Sequence, residues 1–220
     1  MPEDPLPLST RWRFPRPETA DEDGLVAVGG DMKPGTLLLA YRNGIFPWTS
    51  DPITWWSPDP RAIIEPDGLH VPRSLAKFLR RSPFTISFDR AFRAVMEGCA
   101  APRPGREETW ISPRFLNAYT ELHRLGHAHS VECWKGDRLV GGLYGVTTGG
   151  LFAGESMFST ETNASKAALV ALSARLVEKG FVLLDTQMVT PVTALMGAHE
   201  IPRADYLARL REAVRLPRAF

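Results

Sequence analysis

The sequence predicts an α+β protein: a small N-terminal α/β lobe over residues 1–62, then a larger domain over 63–220 with a mixed, mostly antiparallel sheet. Three observations predict it. The N-terminal stretch is crowded with proline, glycine and tryptophan, whereas the remainder shows regular apolar periodicity. Three strand-like runs follow one another at hairpin spacing between residues 128 and 159. A strong helix and a further strand come directly after them.

In the first lobe, "KPGTLLLAYRNG" predicts a short helix, with Pro34 just inside its start and Gly44 just past its end. "ITWWSPDPRAIIEP" predicts two short strands around a Ser-Pro-Asp-Pro turn. In the second, "VPRSLAKFLRRS" is an amphipathic helix with Leu75, Phe78 and Leu79 on one side. "FTISF" is a strand, and "DRAFRAVMEGCA" a helix that Asp89 is expected to cap. "SPRFLNAYTELHRLG" is a helix capped by Ser112, opened by Pro113 and ended by Gly126. The strands "AHSVECWKG", "RLVGGLYGVTTG" and "GLFAGESMFS" are separated by turn residues. "NASKAALVALSARLVEKG" is a helix expected to be capped by Asn163 and ended by Gly180, and "FVLLDTQMV" a returning strand. This order resembles the core of the GCN5-related N-acyltransferase fold, which holds an acyl donor beside the strand that precedes the helix.

Composition excludes several classes. The chain is 44% hydrophobic and 23% charged, with a formal net charge of +1, which argues against a wholesale nucleic-acid coat but permits a local basic patch. No apolar run is long enough to cross a membrane, and no charged-then-apolar leader is present, so a cytoplasmic protein is expected. Cys99 and Cys133 read as reduced packing residues. His123, His127 and His129 lack a carboxylate or thiolate at metal spacing, so no metal is expected.

An acyl-CoA enzyme of this type needs a glycine-rich turn where backbone N–H groups approach the pyrophosphate. Here the segment between strand and helix is "STETNASK", without glycine and with Glu161 repelling a diphosphate, so the acyl group should arrive on another carrier and no cofactor is expected. Arg73, Lys77, Arg80 and Arg81 fall on one helical face, which fits either a phosphate backbone or a plain solvated surface. Glu155, within an apolar strand, would lose its hydration unless a partner meets it. Asp185 follows "FVLL" in a strand where a carboxylate is costly, and alternation puts Gln187 on the same face.

Eight collinear stretches then carry a resemblance: "GLVAVGGDMKPGTLLLAYRNGIFPW", "PITWWSPDPRAI", "TWI", "AYTELHRLGHAHSVECW", "LVGGLYGV", "LFAGESMFS", "NASKAAL" and "LLDTQ". Together they are similar to the bacterial leucyl/phenylalanyl-tRNA–protein transferases, from about Phe14 to Tyr206. The resemblance implies transfer of leucine or phenylalanine, and methionine less well, from charged tRNA to proteins with N-terminal arginine or lysine, marking them for degradation. It makes Asp185 and Gln187 the catalytic pair, Gln187 orienting the attacking amine and Asp185 polarising it or holding the acceptor's cation. Glu155 is expected to meet the α-ammonium of the esterified residue or the terminal adenosine's hydroxyls, the alternative being an internal salt bridge to Lys166. The resemblance supplies Leu143, Phe152, Met157 and Leu184 for an apolar donor slot, although alternation sets Phe152 against Glu155 and Met157 unless a bulge at Gly154 re-aims the strand. It places Tyr41, Trp48, Trp110 and Tyr119 where the 3′-terminal adenine stacks, and leaves Trp55 and Trp56 to lobe packing. Departures from the family's pattern are Val192, "LMG" at Leu195–Gly197, and "HVPRS" in place of "HVSRS". A monomer is expected. A CoA-dependent N-acyltransferase and a non-catalytic tRNA-binding module are the competing readings.

Overall fold

The computed structural model describes residues 8–102 and 108–220. The N-terminal lobe comprises β1 (Leu25–Val28), α1 (Pro34–Arg42), β2 (Phe46–Ser50) and β3 (Ile53–Trp56), its strands forming an antiparallel sheet in the order β1-β3-β2. The chain then runs through β4 (Arg61–Ile64), α2 (Arg73–Leu79), β5 (Thr85–Phe88), α3 (Phe92–Ala100), α4 (Pro113–Arg124), β6 (Ala128–Lys135), β7 (Arg138–Thr148) and β8 (Leu151–Ser159). It ends with α5 (Ala164–Lys179), β9 (Leu183–Gln187), α6 (Pro191–Leu195), β10 (His199–Ile201) and α7 (Arg203–Ala213). The larger sheet has the order β10-β4-β9-β8-β7-β6-β5, antiparallel throughout except for the β8–β9 pair. The architecture is α+β, as expected.

The two strands around the Ser-Pro-Asp-Pro turn part company: β3 is the middle strand of the small sheet, whereas β4 enters the large one beside β9. Residues 61 and 62 therefore lie within the larger sheet.

Successive residues along the central strands alternate between two cores. Ile63, Tyr144, Leu151 and Leu183 join Tyr41, Phe92, Phe115 and Tyr206, on the side of α1, α3, α4 and α7. Ile64, Leu143, Phe152 and Leu184 join Leu75, Leu169, Leu172 and Leu176, on the side of α2 and α5. Each face of the sheet is thus covered, and the strands read as near-continuous apolar runs for that reason.

Ser112 caps α4 by accepting the Phe115 N–H at 3.4 Å, and α5 ends at Gly180 in the left-handed region. Two predicted caps differ. Asn163 has φ +69° and its Oδ1 accepts from Lys166 Nζ at 2.9 Å instead of from the helix backbone. Asp89, with φ +58°, accepts from the Ser130 N–H at 2.9 Å and lies 2.7 Å from His129 Nδ1, so its carboxylate is spent on β6. The N–H groups of Arg90 and Ala91 just before α3 go instead to the buried Glu132 carboxylate, across the sheet.

Two irregularities shape the middle of the sheet. On β8, Tyr144 pairs with Ser156 but Gly145 pairs with Gly154, leaving Glu155 as the extra residue of a bulge. On β9, Ile63 pairs with Asp185 but Ala62 pairs with Gln187, leaving Thr186 as the extra residue. The β8–β9 ladder covers Leu151–Leu183, Phe152–Leu184 and Ala153–Asp185, and stops there. Both bulges sit where the ladder ends, so the two parallel strands diverge and open a fork.

Gly145 faces the β8 bulge, and a Cβ on it would lie 2.3 Å from the Ala153 carbonyl oxygen and 2.3 Å from the Phe152 ring. Gly145→Ala should therefore displace β8 backbone and lower stability by roughly 2–4 kcal/mol, read as a reduced urea midpoint at unchanged m-value.

Candidate active site

A buried charge pair underlies the fork. Asp185 on β9 is fully buried, and so is Arg61 on β4. Arg61 Nε donates to Asp185 Oδ1 at 2.9 Å and Nη2 to Oδ2 at 2.7 Å, the bidentate geometry suited to guanidinium and carboxylate. The Tyr206 hydroxyl of α7 donates to Oδ2 at 2.8 Å, and the Gln187 backbone N–H donates to Oδ1 at 2.9 Å. Arg61 Nη1 in turn donates to the Gly44 carbonyl at 3.0 Å. Its guanidinium carbon lies 4.8 Å from the Phe46 ring centroid and 4.5 Å from that of Tyr206. Burial works against the charged guanidinium, but Asp185 outweighs it and holds Arg61 above its ordinary pKa.

Four donors occupy the two oxygens of Asp185, two of them from the Arg61 guanidinium, so the carboxylate is already matched by a cation of this chain. It fixes Gln187, whose φ of +57° is a conformation that L-residues seldom adopt. The register slip at Thr186 also breaks the expected alternation: Asp185 stands opposite Ile63 and Gln187 opposite Ala62, so the two side chains no longer share a face. Gln187 is buried, and its Nε2 has no hydrogen-bond partner among the described residues.

Glu155 sits on the other prong of the fork. Tyr119 from α4 donates to its Oε2 at 3.3 Å, and the Tyr119 and Tyr41 hydroxyls bond each other. Glu155 Oε1 is buried without a hydrogen-bond partner among the described residues. Burial pushes the Glu155 carboxyl up to about 7; Asp185 pushes the same way, while the tyrosine hydroxyls and Arg61 pull back. Burial and the negative Glu155 raise both tyrosine hydroxyls well above their ordinary value, so they remain donors. Lys166 bonds Asn163 instead of Glu155, and the internal salt bridge considered for Glu155 is not made.

Two cavities meet at these residues. A recess of about 560 Å³ includes Leu143, Met157, Leu169, Leu172 and Leu184, with Glu155, Gln187 and Lys166 also in its wall. A cleft of about 100 Å³ runs between Phe46, Trp48 and Trp110 and is closed by Glu155, Gln187 and Met188. A carboxyl near neutrality and an amide with a free N–H thus stand at the junction of an apolar recess and an aromatic cleft. That arrangement suits binding two different groups and promoting a reaction between them.

Comparison with known proteins gives the family. The family model described as leucyl/phenylalanyl-tRNA protein transferase matches residues 63–211, and the model of its N-terminal domain matches residues 30–59. The chain belongs to the leucyl/phenylalanyl-tRNA protein transferase family. A leucyl/phenylalanyl-tRNA–protein transferase of Thiobacillus denitrificans is 54% identical over 215 residues, covering 96% of this chain and 94% of that protein. One of Shewanella baltica is 52% identical over 203 residues, covering 90% of this chain and 86% of that protein. A solved structure, L-PGS from Bacillus licheniformis, matches with a TM-score of 0.43 at 13% identity, covering 71% of this chain and 53% of that one.

In this transferase-family chain, Leu143, Met157 and Leu184 line the recess and Trp48 and Trp110 line the cleft. Phe152 does not line the recess. The β8 bulge places it on the same face as Met157, the outcome a bulge near Gly154 would give, but it is fully buried against Phe220, 5.5 Å between centroids. Tyr41 and Tyr119 are also fully buried and serve Glu155 instead of offering a free stacking surface. Arg73, Lys77, Arg80 and Arg81 are exposed and unpaired among the described residues, away from both cavities. Trp55 is core, donating to the Gly29 carbonyl at 2.8 Å, whereas Trp56 is half-buried and lines a surface groove. Arg61 and Tyr206 were missed. The only signal for Arg61 was a charge leading an apolar strand, "RAII".

Among the described residues no group of three His, Cys, Asp or Glu side chains could hold a metal, and no helix is long and apolar enough to cross a membrane. Both cysteines are buried, and neither forms a disulfide.

Removing either member of the ion pair should be far costlier than removing the amide it supports. Arg61→Ala or Asp185→Asn should lose about 3–5 kcal/mol in urea unfolding, because a buried charge is left alone. Gln187→Ala should lose less than about 1 kcal/mol, since its side-chain N–H has no bond to forfeit.

Proposed function

We propose that this chain transfers leucine or phenylalanine, and methionine less well, from aminoacyl-tRNA to the α-amino group of proteins that begin with arginine or lysine. The product is a new peptide bond and a degradation signal. The single observation that carries the reading is the shared wall: Glu155 and Gln187 border both the apolar recess and the tryptophan cleft. The donor's side chain occupies the recess formed by Leu143, Met157 and Leu184. Methionine in that wall adapts to branched and aromatic shapes alike. The terminal adenine stacks in the cleft at Trp48 and Trp110. The exposed cations of α2, Arg73, Lys77, Arg80 and Arg81, contact the phosphate backbone farther along the tRNA.

The ester is already activated, so the chemistry reduces to positioning, proton removal and support of charge on the carbonyl oxygen. The acceptor nitrogen attacks the ester carbonyl; the C–N bond forms, the C–O bond to the ribose breaks, and the ribose oxygen ends protonated. Glutamine cannot serve as a base, but its amide can accept a hydrogen bond from the amine and donate one to the carbonyl oxygen. The Gln187 Nε2–H, unpartnered within the chain, is free for that donation. Glu155, titrating at about 7, is suited to draw the proton from the incoming ammonium, whose own pKa is about 8.

The decisive experiment supplies labelled Leu-tRNA and Phe-tRNA with peptides that begin with Arg, Lys or Ala. Label should pass to the first two and not to the third; equal labelling of the Ala peptide refutes the acceptor assignment. A pH series follows from Glu155. Its carboxylate form is depleted below about pH 7, so wild-type kcat should climb as pH rises through that value. Glu155→Gln should lower kcat by roughly 10²–10³ and abolish that inflection. An inflection preserved in the variant would assign the titration to another group.

A further inference from the structure

A third hollow adjoins the site. It measures about 340 Å³ and is walled by Asp23, Trp48, Thr49, Trp56, Pro58 and Met188. It shares Trp48 and Met188 with the aromatic cleft, so Trp48 is the partition between the two. Met188 directly follows Gln187, which lines both the recess and the cleft, and 45% of the Met188 surface is exposed. The hollow therefore backs onto the cleft across Trp48, and Met188 borders the hollow, the cleft and the recess alike.

Charge distinguishes this hollow from its neighbours. The large recess carries Lys166, which repels a cation. Asp185 is consumed by Arg61, and burial pushes the Glu155 carboxyl up to about 7. The remaining carboxylate in the three hollows is Asp23. It is exposed and has no hydrogen-bond or ion-pair partner among the described residues. The backbone that presents it is fixed. Asp21 Oδ1 accepts from the N–H groups of Asp23 at 3.1 Å and Leu25 at 2.8 Å, and the Gly24 carbonyl accepts from the Ser57 N–H at 2.8 Å. Gly24 has φ +96°, and a Cβ there would sit 2.7 Å from Pro58 Cα, so the turn is pressed onto the groove wall.

We infer that this hollow reads the first side chain of the acceptor protein: its aliphatic stem lies along Trp48, Trp56 and Met188, and its cationic head meets the Asp23 carboxylate. Arginine and lysine both combine a long apolar stem with a terminal cation, and indole faces attract such cations. The inference rests on the transferase reading above and assigns the acceptor specificity that Asp185 cannot supply.

The test compares wild type with Asp23→Asn and Asp23→Lys, using Leu-tRNA and peptides beginning with Arg or Ala. Asp23 makes no side-chain bond, so neither substitution removes one from the fold. The Arg-over-Ala preference in kcat/KM should fall by roughly tenfold in Asp23→Asn and further in Asp23→Lys, as expected for loss of one charge-assisted contact. The change should lie in KM for the Arg peptide, with KM for Leu-tRNA retained. A preference kept intact in both variants overturns the inference and leaves the transferase reading standing. A rise in KM for Leu-tRNA with an unaltered peptide KM also overturns it, and gives the hollow to the donor's nucleic acid. Wild type without any Arg preference would remove both readings together.

Discussion

Everything at the site depends on a single buried ion pair. Placing Arg61 and Asp185 out of water costs several kcal/mol per ion, which their attraction offsets only when the geometry is close and the remaining polar atoms are bonded. Here they are: the guanidinium reaches the carboxylate twice and the Gly44 carbonyl once, while Tyr206 and the Gln187 N–H complete the carboxylate. The pair joins β4 to β9, draws in α7 through Tyr206 and touches the small lobe through Gly44 and Phe46. It also ties down a backbone that would not hold its left-handed turn unaided. The Gln187 backbone between the two cavities is thus tied to an electrostatic contact one layer beneath it.

The fork between β8 and β9 converts this rigidity into an opening. A parallel pair with a regular ladder would leave no room between its strands. With one surplus residue on each, at Glu155 and Thr186, the ladder stops after Ala153–Asp185. Side chains then point where strict alternation would not send them. Met157 turns to the apolar recess, Glu155 to the tyrosines and Gln187 away from Asp185. The bulges, not the residue types alone, let one strand provide both an apolar wall for the recess and a buried carboxyl beside it.

Much of this was legible in the sequence. The hairpin-spaced strands, the Ser112 cap and the glycine end of α5 are local decisions, made by turn residues and short-range hydrogen bonds, and local pattern reveals them. The misfit of Phe152 with Glu155 and Met157 under strict alternation also pointed correctly to a bulge. What stayed hidden depends on distant partners. Arg61 and Asp185 are 124 residues apart, and nothing near Arg61 announces the carboxylate that makes its burial tolerable. Asn163 and Asp89 have the right chemistry for caps, but Lys166 and β6 compete successfully for their side chains. The bulge at Thr186 carries no glycine or proline to mark it.

The position of Arg61 bears on how the two lobes are joined. The family's two models match residues 30–59 and 63–211, and this arginine falls in the short seam between them. Tyr41, from the first block, is likewise coupled to Glu155 in the second through Tyr119. Cut at this seam, each block would lose a partner that its own buried groups need, and lengthening or shortening the joint would strain both at once.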